Sequence, residues 1–190
     1  MYDIRALTDM GAAYDFYHTY SVAATAESRR DVTDAYPPAL GLMPVSRGTV
    51  DFWFSGADRV SFGAYDGDRL VGIASGSVSP ERKAGYLSYI CVAPDCRHKG
   101  LATALMDALE GALAARPEVE KLEAVFYNSV QLPWYIPHGN GDYHPCLPGV
   151  DKSSGLYLFL KNRGWRDFAT QNCYYRRMAD YADKSGIAAT

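Results

Sequence analysis

Leu101, Ala104, Leu105, Ala108, Leu109, Ala112 and Leu113 recur at the i, i+3, i+4, i+7 spacing of an amphipathic helix. Short apolar runs flank them, YLSYICVA (86–93) and KLEAVFY (121–127). The pattern predicts strand 86–93, helix 100–115 closed by Arg116-Pro117, and strand 121–127. Two strands joined through a helix are parallel, with a right-handed crossover. The run 86–93 is apolar on both sides of its alternation, as expected of a covered central strand. A hairpin precedes it: VSFGAY (60–65) and RLVGIASGSV (69–78) flank Asp66-Gly67-Asp68, and an Asp-Gly turn between apolar runs is a strong hairpin signal.

The other segments are read by the same rules. Tyr2 to Ala6 reads as a strand, and Thr8 or Asp9 as the cap of a helix carrying Ala12, Tyr14, Phe16, Tyr17 and Tyr20. Glu27 to Ala35 reads as helical and is stopped at Tyr36-Pro37-Pro38. Pro37 to Gly48 reads as a loop, and Val50 to Phe54 suits either helix or strand. Residues 128–151 carry four prolines and three glycines and read as a long loop, ordered by Trp134, Tyr135 and Tyr143. Ser153 to Asn162 reads as a helix closed by Gly164, and Trp165 to Arg177 as a final strand or hairpin. No repeat or linker divides the chain, so a single domain over 1–178 and a tail at 179–190 are expected.

Composition narrows the class. With 48% apolar and 22% charged residues among 190, this is the make-up of a globular domain with a sizeable core. No run of 18 apolar residues is present, and the N-terminal residues do not have the pattern of a secretory signal. Cys91, Cys96, Cys146 and Cys173 are scattered without a CxxC pair and read as reduced thiols in a cytoplasmic protein. The net charge of −3 gives no general attraction to nucleic acid or an anionic membrane.

Against that background the stretch CRHKGLATALM (96–106) is unusual. Helices usually open with acidic or hydroxyl residues, because the N-terminal end of the helix dipole is positive. Here Arg97, His98 and Lys99 stand at the helix start instead. The first amides of a helix have no internal partner and favour an anion, most often a phosphate. Gly100 removes the side chain that would block close approach, and Ala102 keeps the next position small. The stretch is neither a Walker loop nor a dinucleotide fingerprint. Arg97-His98-Lys99-Gly100-Leu101-Ala102 resembles the R/Q-x-x-G-x-G/A signature of the GNAT family of N-acetyltransferases. Val92-x-Pro94 before it, the Leu/Met-rich helix after it and the Gly164-Trp165 step resemble the same family over residues 2 to 178.

The resemblance implies an α/β (α+β) GNAT fold. A central twisted mixed sheet, mostly antiparallel, has one parallel pair splayed at the acetyl-CoA site, with helices on both faces. It implies transfer of an acetyl group from acetyl-CoA to a primary amine by direct attack in a ternary complex. Arg97, His98, Lys99, Gly100, Leu101, Ala102 and Thr103 would hold the pyrophosphate. Cys91, Val92 and Ala93 would supply backbone contacts to the pantetheine arm, and Asn128 would line the far side. Partners would be acetyl-CoA and a small-molecule or peptide amine, with a homodimer common in the family. An alternative with the same fold is a non-catalytic acyl-CoA-binding module, a sensor or docking unit.

The chain departs from the family pattern at the proton-transfer positions. The usual acidic tyrosine falls on Leu160, counting back from Gly164-Trp165, so Tyr157 on the same helical face is the candidate acid; the alternative is a tyrosine packed with its hydroxyl satisfied. The places of the usual base hold Ser88 and Tyr89. In the long loop, His144 or Asp142 is the candidate base or amine ligand, and the alternative is a structural loop with surface histidines. His138, Asp142, His144 and Cys146 are zinc-binding types, yet their spacing matches no standard site and no metal is expected. The acceptor is expected against Tyr36 to Met43, the hairpin near Ser75 and the 131–147 loop.

Overall fold

The computed structural model describes residues 2–22, 42–125, 130–135, 143–146, 149–152 and 154–170. A five-stranded sheet runs in the order β1 (Asp3–Ala6), β2 (Arg59–Asp66), β3 (Arg69–Ser79), β4 (Ala84–Val92) and β5 (Lys121–Glu123). Neighbours are antiparallel except β4 and β5, which are parallel, with Ala84 opposite Lys121 and Tyr86 opposite Glu123. Helices α1 (Met10–Tyr20), α2 (Arg47–Ser55), α3 (Leu101–Ala114) and α4 (Gly155–Asn162) complete the fold, with a two-stranded hairpin of β6 (Trp134–Tyr135) and β7 (Tyr143–His144).

Each face of the sheet has its own packing chemistry. On one face β3 carries Gly72, Ala74 and Gly76, alternate residues that share a side. Their lack of bulk admits α3: a methyl carbon at Gly72 would lie 2.9 Å from Leu105, and one at Gly76 would lie 2.5 Å from the Tyr86 carbonyl oxygen and 3.0 Å from Leu113. Leu101, Leu105, Met106, Leu109 and Leu113 of α3 are all buried there. On the other face α1 and α2 meet the sheet through aromatic rings. Tyr17 sits edge-on to Trp53 at 5.5 Å between centroids, and Phe54 lies 5.4 Å from Tyr89. The Tyr17 hydroxyl donates to the Met43 carbonyl at 2.7 Å, and burial pushes its phenol well above the ordinary value.

Local signals set the element ends. Asp9 caps α1 by accepting from the Ala12 N–H at 2.9 Å, and Ser154 caps α4 by accepting from the Tyr157 N–H at 3.2 Å. Gly67 turns the β2–β3 hairpin at φ +61°, a left-handed conformation cheap only for glycine. The stretch expected to suit either helix or strand is α2: Ser46 caps it, so the preceding loop ends two residues before Gly48. Val50, Trp53 and Phe54 face inward. β4 begins at Ala84, two residues earlier than expected, and β5 closes at Glu123 where 121–127 was expected. The long loop contains the β6–β7 hairpin, and Trp165 to Thr170 form no strand. The expected helix 27–35 and the tail lie outside the described residues.

Helix α4 is fastened to α3 by one polar clasp. Arg163 Nη2 donates to Glu110 Oε2 at 2.5 Å and to Asp107 Oδ1 at 2.7 Å, and Trp165 Nε1 donates to Glu110 Oε1 at 2.9 Å. Glu110 is three-quarters buried, whereas the Asp107 side chain is 64% exposed. Glu110→Ala strands two donors, and a stability loss of about 1–3 kcal/mol is expected. Asp107→Ala should stay within about 0.5 kcal/mol. The α3 docking gives a second pair of outcomes in urea unfolding. Gly76→Ala, which forces carbon against a backbone oxygen, should destabilise by about 1–3 kcal/mol. Gly111→Ala, with open space around a methyl in the α3 interior, should stabilise by about 0.5–1 kcal/mol.

Candidate active site

The chain leaves β4 through a tightly held turn. The Ala93 N–H donates to the Val71 carbonyl at 2.8 Å, completing the ladder with β3. Pro94–Cys96 form one 3₁₀ turn, with Cys96 buried beneath it. Both oxygens of Asp95 accept from Arg69 Nη2, at 2.9 and 2.8 Å, and that guanidinium holds the carboxyl below its usual range. Arg97 Nε donates back to the Val92 carbonyl at 3.0 Å. His98 and Gly100 then take positive φ, +59° and +80°, on either side of Lys99. Such a backbone turn makes a concavity of N–H groups suited to an anion. No atom lies within 4 Å of a Cβ built on Gly100. Helix α3 opens without a side-chain cap or an acidic residue in its first turn, and its first helical bond runs from the Ala104 N–H to the Gly100 carbonyl at 3.0 Å. The amides of Leu101, Ala102 and Thr103 therefore have no helical partner.

The turn stands at one end of a cleft. Among the described residues, pairing of β4 with β5 ends at Tyr86–Glu123, and Ala124 and Val125 line a cavity with Leu87 to Val92. The β3–β4 register passes from Ser75–Tyr89 to Gly76–Leu87, so Ser88 is an extra residue, a bulge that bends β4 where it leaves β5. Antiparallel ladders alternate bonded and non-bonded pairs. Since Val71 and Ala93 form a bonded pair, Cys91 and Tyr89 also turn their backbone groups toward β3. Those of Val92 and Ile90 turn toward the cleft. A cavity of about 430 Å³ fills the gap. Leu87 to Val92 line it from β4, Ala124 and Val125 from beyond β5, Val150, Leu156 and Phe159 from α4 and the residues before it, and Tyr20 and Ser21 from the end of α1.

One polar group of residues lies in this wall. Ser21 Oγ is 2.5 Å from the Tyr89 hydroxyl. Burial pushes both the Tyr89 phenol and the neighbouring Cys91 thiol upward, so both are neutral at ordinary pH. Asp151, just ahead of α4, is the one carboxylate on the wall among the described residues.

The expected site residues divide clearly. Cys91, Val92, Arg97, His98, Gly100, Leu101, Ala102 and Thr103 line the cavity. Ala93 gives its N–H to β3, so it offers none to the cleft. Lys99 turns its ammonium away, donating to the Asp95 carbonyl at 2.9 Å and reaching the Tyr2 hydroxyl at 3.4 Å. Tyr157 is absent from the wall and its hydroxyl donates to Asp167 Oδ2 at 3.0 Å, which removes the ground for making it the proton donor. The reason is helical phase: Leu156 and Phe159 share the face toward the cleft, while Tyr157 shares another with Lys161. Leu160 is buried in the core. His144 is exposed in β7, its Nδ1 within 2.8 Å of the Cys146 carbonyl oxygen, and is not on the wall. Of the expected acceptor contacts, Leu42 and Leu132 line the cavity, whereas Ser75 is buried against Ser61 at 2.8 Å. Asn128, His138 and Asp142 lie outside the described residues, among which no cluster of metal-ligating side chains occurs.

Sequence reasoning missed Ile90, Ser21, Asp151 and Phe159. Ile90 was accessible in principle, because it stands two residues from Val92 and strand alternation puts both on one edge. Ser21 carried no signal, since its partner Tyr89 is 68 positions away.

Comparison with known proteins accords with this geometry. Residues 25–135 match the family model described as the acetyltransferase (GNAT) family. No curated protein sequence matches the chain. Among solved structures it is similar to ribosomal-protein-alanine N-acetyltransferase from Brucella melitensis biovar Abortus 2308, at 19% identity over 93% of this chain and 99% of that one, TM-score 0.55. It is similar to AAC(6')-Iy in complex with the bisubstrate analogue CoA-S-monomethyl-acetylneamine, at 12% identity over 93% and 99%, TM-score 0.53. Glucosamine-6-phosphate N-acetyltransferase from Arabidopsis thaliana follows at 13% identity over 92% and 98%, TM-score 0.53. At such identities the likeness carries the fold. The family match spans more than half of the 190 residues, and the chain belongs to the acetyltransferase (GNAT) family.

Proposed function

We propose that this protein is an N-acetyltransferase that passes an acetyl group from acetyl-CoA to a primary amine by direct attack in a ternary complex, with residues 1–178 acting as one unit. The observation that carries the reading is the β4 edge that no described strand pairs beyond Tyr86, running into the N-terminus of α3, which has no side-chain cap. A linear molecule with an amide-bearing arm and a pyrophosphate matches both halves. The turn from Arg97 to Thr103 takes the pyrophosphate on the free amides of Leu101, Ala102 and Thr103, with the Arg97 and His98 side chains beside them. The backbone groups of Ile90 and the Val92 N–H, which turn away from β3, take the pantetheine arm much as an added strand would. An N–H on this edge polarises the thioester carbonyl as charge develops on its oxygen.

Proton transfer has no dedicated acid in this reading. Tyr157 is engaged with Asp167 and Leu160 is apolar. A thiol with a pKa near about 8.5, as for cysteine, leaves as thiolate without much help. The same observation favours a second reading, a GNAT domain that binds acyl-CoA without turning it over. Amine-dependent release of CoA separates the two, since only the enzyme shows it.

Cofactor placement is tested by thermal unfolding of the parent and of Gly100→Trp. Acetyl-CoA at a hundred times its Kd stabilises by about 2.7 kcal/mol. At this size that is a rise in Tm of roughly 5–10 °C. The parent is expected to show the rise and Gly100→Trp to lose it, because the indole fills the space above Gly100. No rise in the parent at millimolar acetyl-CoA would overturn the reading.

A further inference from the structure

We propose that His18 is a proton-sensitive latch, whatever reaction the cleft performs: its neutral ring holds the strap from Leu42 to Val45 against α1, and a second proton on the ring releases it. The Val45 N–H donates to His18 Nε2 at 3.3 Å. An amide N–H can only donate, so Nε2 carries the lone pair. His18 Nδ1 lies 3.0 Å from the Tyr14 carbonyl oxygen, which can only accept, so Nδ1 carries the hydrogen. The two partners therefore select the same neutral tautomer from opposite sides of the ring. Rings hold the imidazole in place: Tyr14 is 4.1 Å away between centroids, and Tyr17 stands edge-on at 5.2 Å. A second proton must go on Nε2, where it sets a donor against the Val45 donor. The strapped form takes only the neutral ring and the released form takes either, so falling pH favours release.

The strap matters because it forms part of the cleft wall. The Leu42 N–H donates to the Ser21 carbonyl at 3.2 Å and the Met43 N–H to the Pro133 carbonyl at 2.9 Å. The Tyr17 hydroxyl donates to the Met43 carbonyl at 2.7 Å. Leu42 bridges Val22 on one side and Trp134 on the other, and it lines the cleft together with Leu132. Pro44 has no N–H and a fixed φ, so a shift at Val45 passes to Met43 and Leu42 and is not absorbed between them. Among the described residues, Tyr14 and Tyr17 of α1 pack on the ring, and Arg47 of α2 lies over Tyr14 with its guanidinium carbon 4.7 Å from the ring centre. Phenols keep their protons, and a guanidinium its charge, through the range in which an imidazole titrates. Of these groups His18 is the one that changes charge between about pH 5 and 8.

Amide hydrogen exchange on the full chain, read by NMR and corrected for the intrinsic pH dependence of exchange, tests the latch without any ligand. Between about pH 7.5 and about pH 5.5, protection at Leu42, Met43 and Val45 should fall together by about five- to tenfold, the worth of one hydrogen bond, with Leu109 in α3 unchanged. His18→Gln keeps an acceptor that takes up no proton, and should hold its protection at both pH values. His18→Phe keeps a ring on Tyr14 without an acceptor, and should show the acid pattern at both. The ring nitrogen chemical shifts of His18 should report the Nδ1–H tautomer at the higher pH. Protection in the parent that does not change with pH, a fall confined to Val45, a fall that persists in His18→Gln, or the Nε2–H tautomer would each overturn the inference. Should His18→Phe fail to fold, the parent and His18→Gln still decide.

Discussion

A strand edge with no partner is costly inside a fold, because each unmade backbone hydrogen bond leaves a polar group without compensation. In this protein no described strand pairs with β4 beyond Tyr86, where β5 departs. Three residue pairs join the strands, the bulge at Ser88 bends β4, and Ile90 and Val92 turn their backbone groups away from β3, the Val92 carbonyl there accepting from Arg97. The open edge depends on rigid surroundings. β3 holds the other side of β4 along its whole length, and the Val71–Ala93 bond extends that hold past the end of the strand. The sheet therefore does not close over the gap, and the gap is ready for an extended ligand.

The placement of α3 follows from the same frame. Gly72 and Gly76 of β3 let Leu105, Leu109 and Leu113 come down onto the sheet, which fixes the helix axis and the position of its N-terminus. The Arg69–Asp95 pair and the buried Cys96 fix the turn that leads into it. The basic residues there have separate tasks. Arg97 supports the turn through the Val92 carbonyl and Lys99 ties it to Asp95 and Tyr2, which leaves the proposed anion site chiefly to backbone amides. On the far wall, the Arg163–Glu110–Trp165 clasp sets how α4 sits against α3, and so which of its residues face the cleft.

Sequence pattern reached the parts of this structure that depend on local period and turn chemistry. The seven-residue apolar stripe of α3, the Asp-Gly hairpin and the two flanking strands need only neighbours along the chain, and all are present. The anion turn was legible because glycine and three basic residues at a helix start conflict with ordinary capping. Helix α2 was harder: the run Val50-Asp51-Phe52-Trp53-Phe54 is too short for periodicity alone, and the Ser46 cap with inward Val50, Trp53 and Phe54 decides it. What the sequence could not show is rotation and long-range contact. Tyr157 and Leu160 look interchangeable on a helical wheel until the α3–α4 clasp fixes the turn of α4, and then neither reaches the cavity. Ser21 meets Tyr89 only because α1 ends over β4.

The chemistry follows from what the cleft offers. Its described lining is mostly apolar, with Arg97, His98 and the first amides of α3 at the turn and Asp151 as the one carboxylate on its wall. In the proposed reaction such a site would act by holding two reactants together and excluding water. The central claim is that the β4 edge and the α3 N-terminus together hold one extended cosubstrate. Amide hydrogen exchange with and without acetyl-CoA tests it most directly. The account requires slowed exchange at Ile90, Val92 and residues 98–103, with the α3 interior at 105–113 unchanged. Slowing confined to other segments, or no slowing at saturating acetyl-CoA, would contradict it.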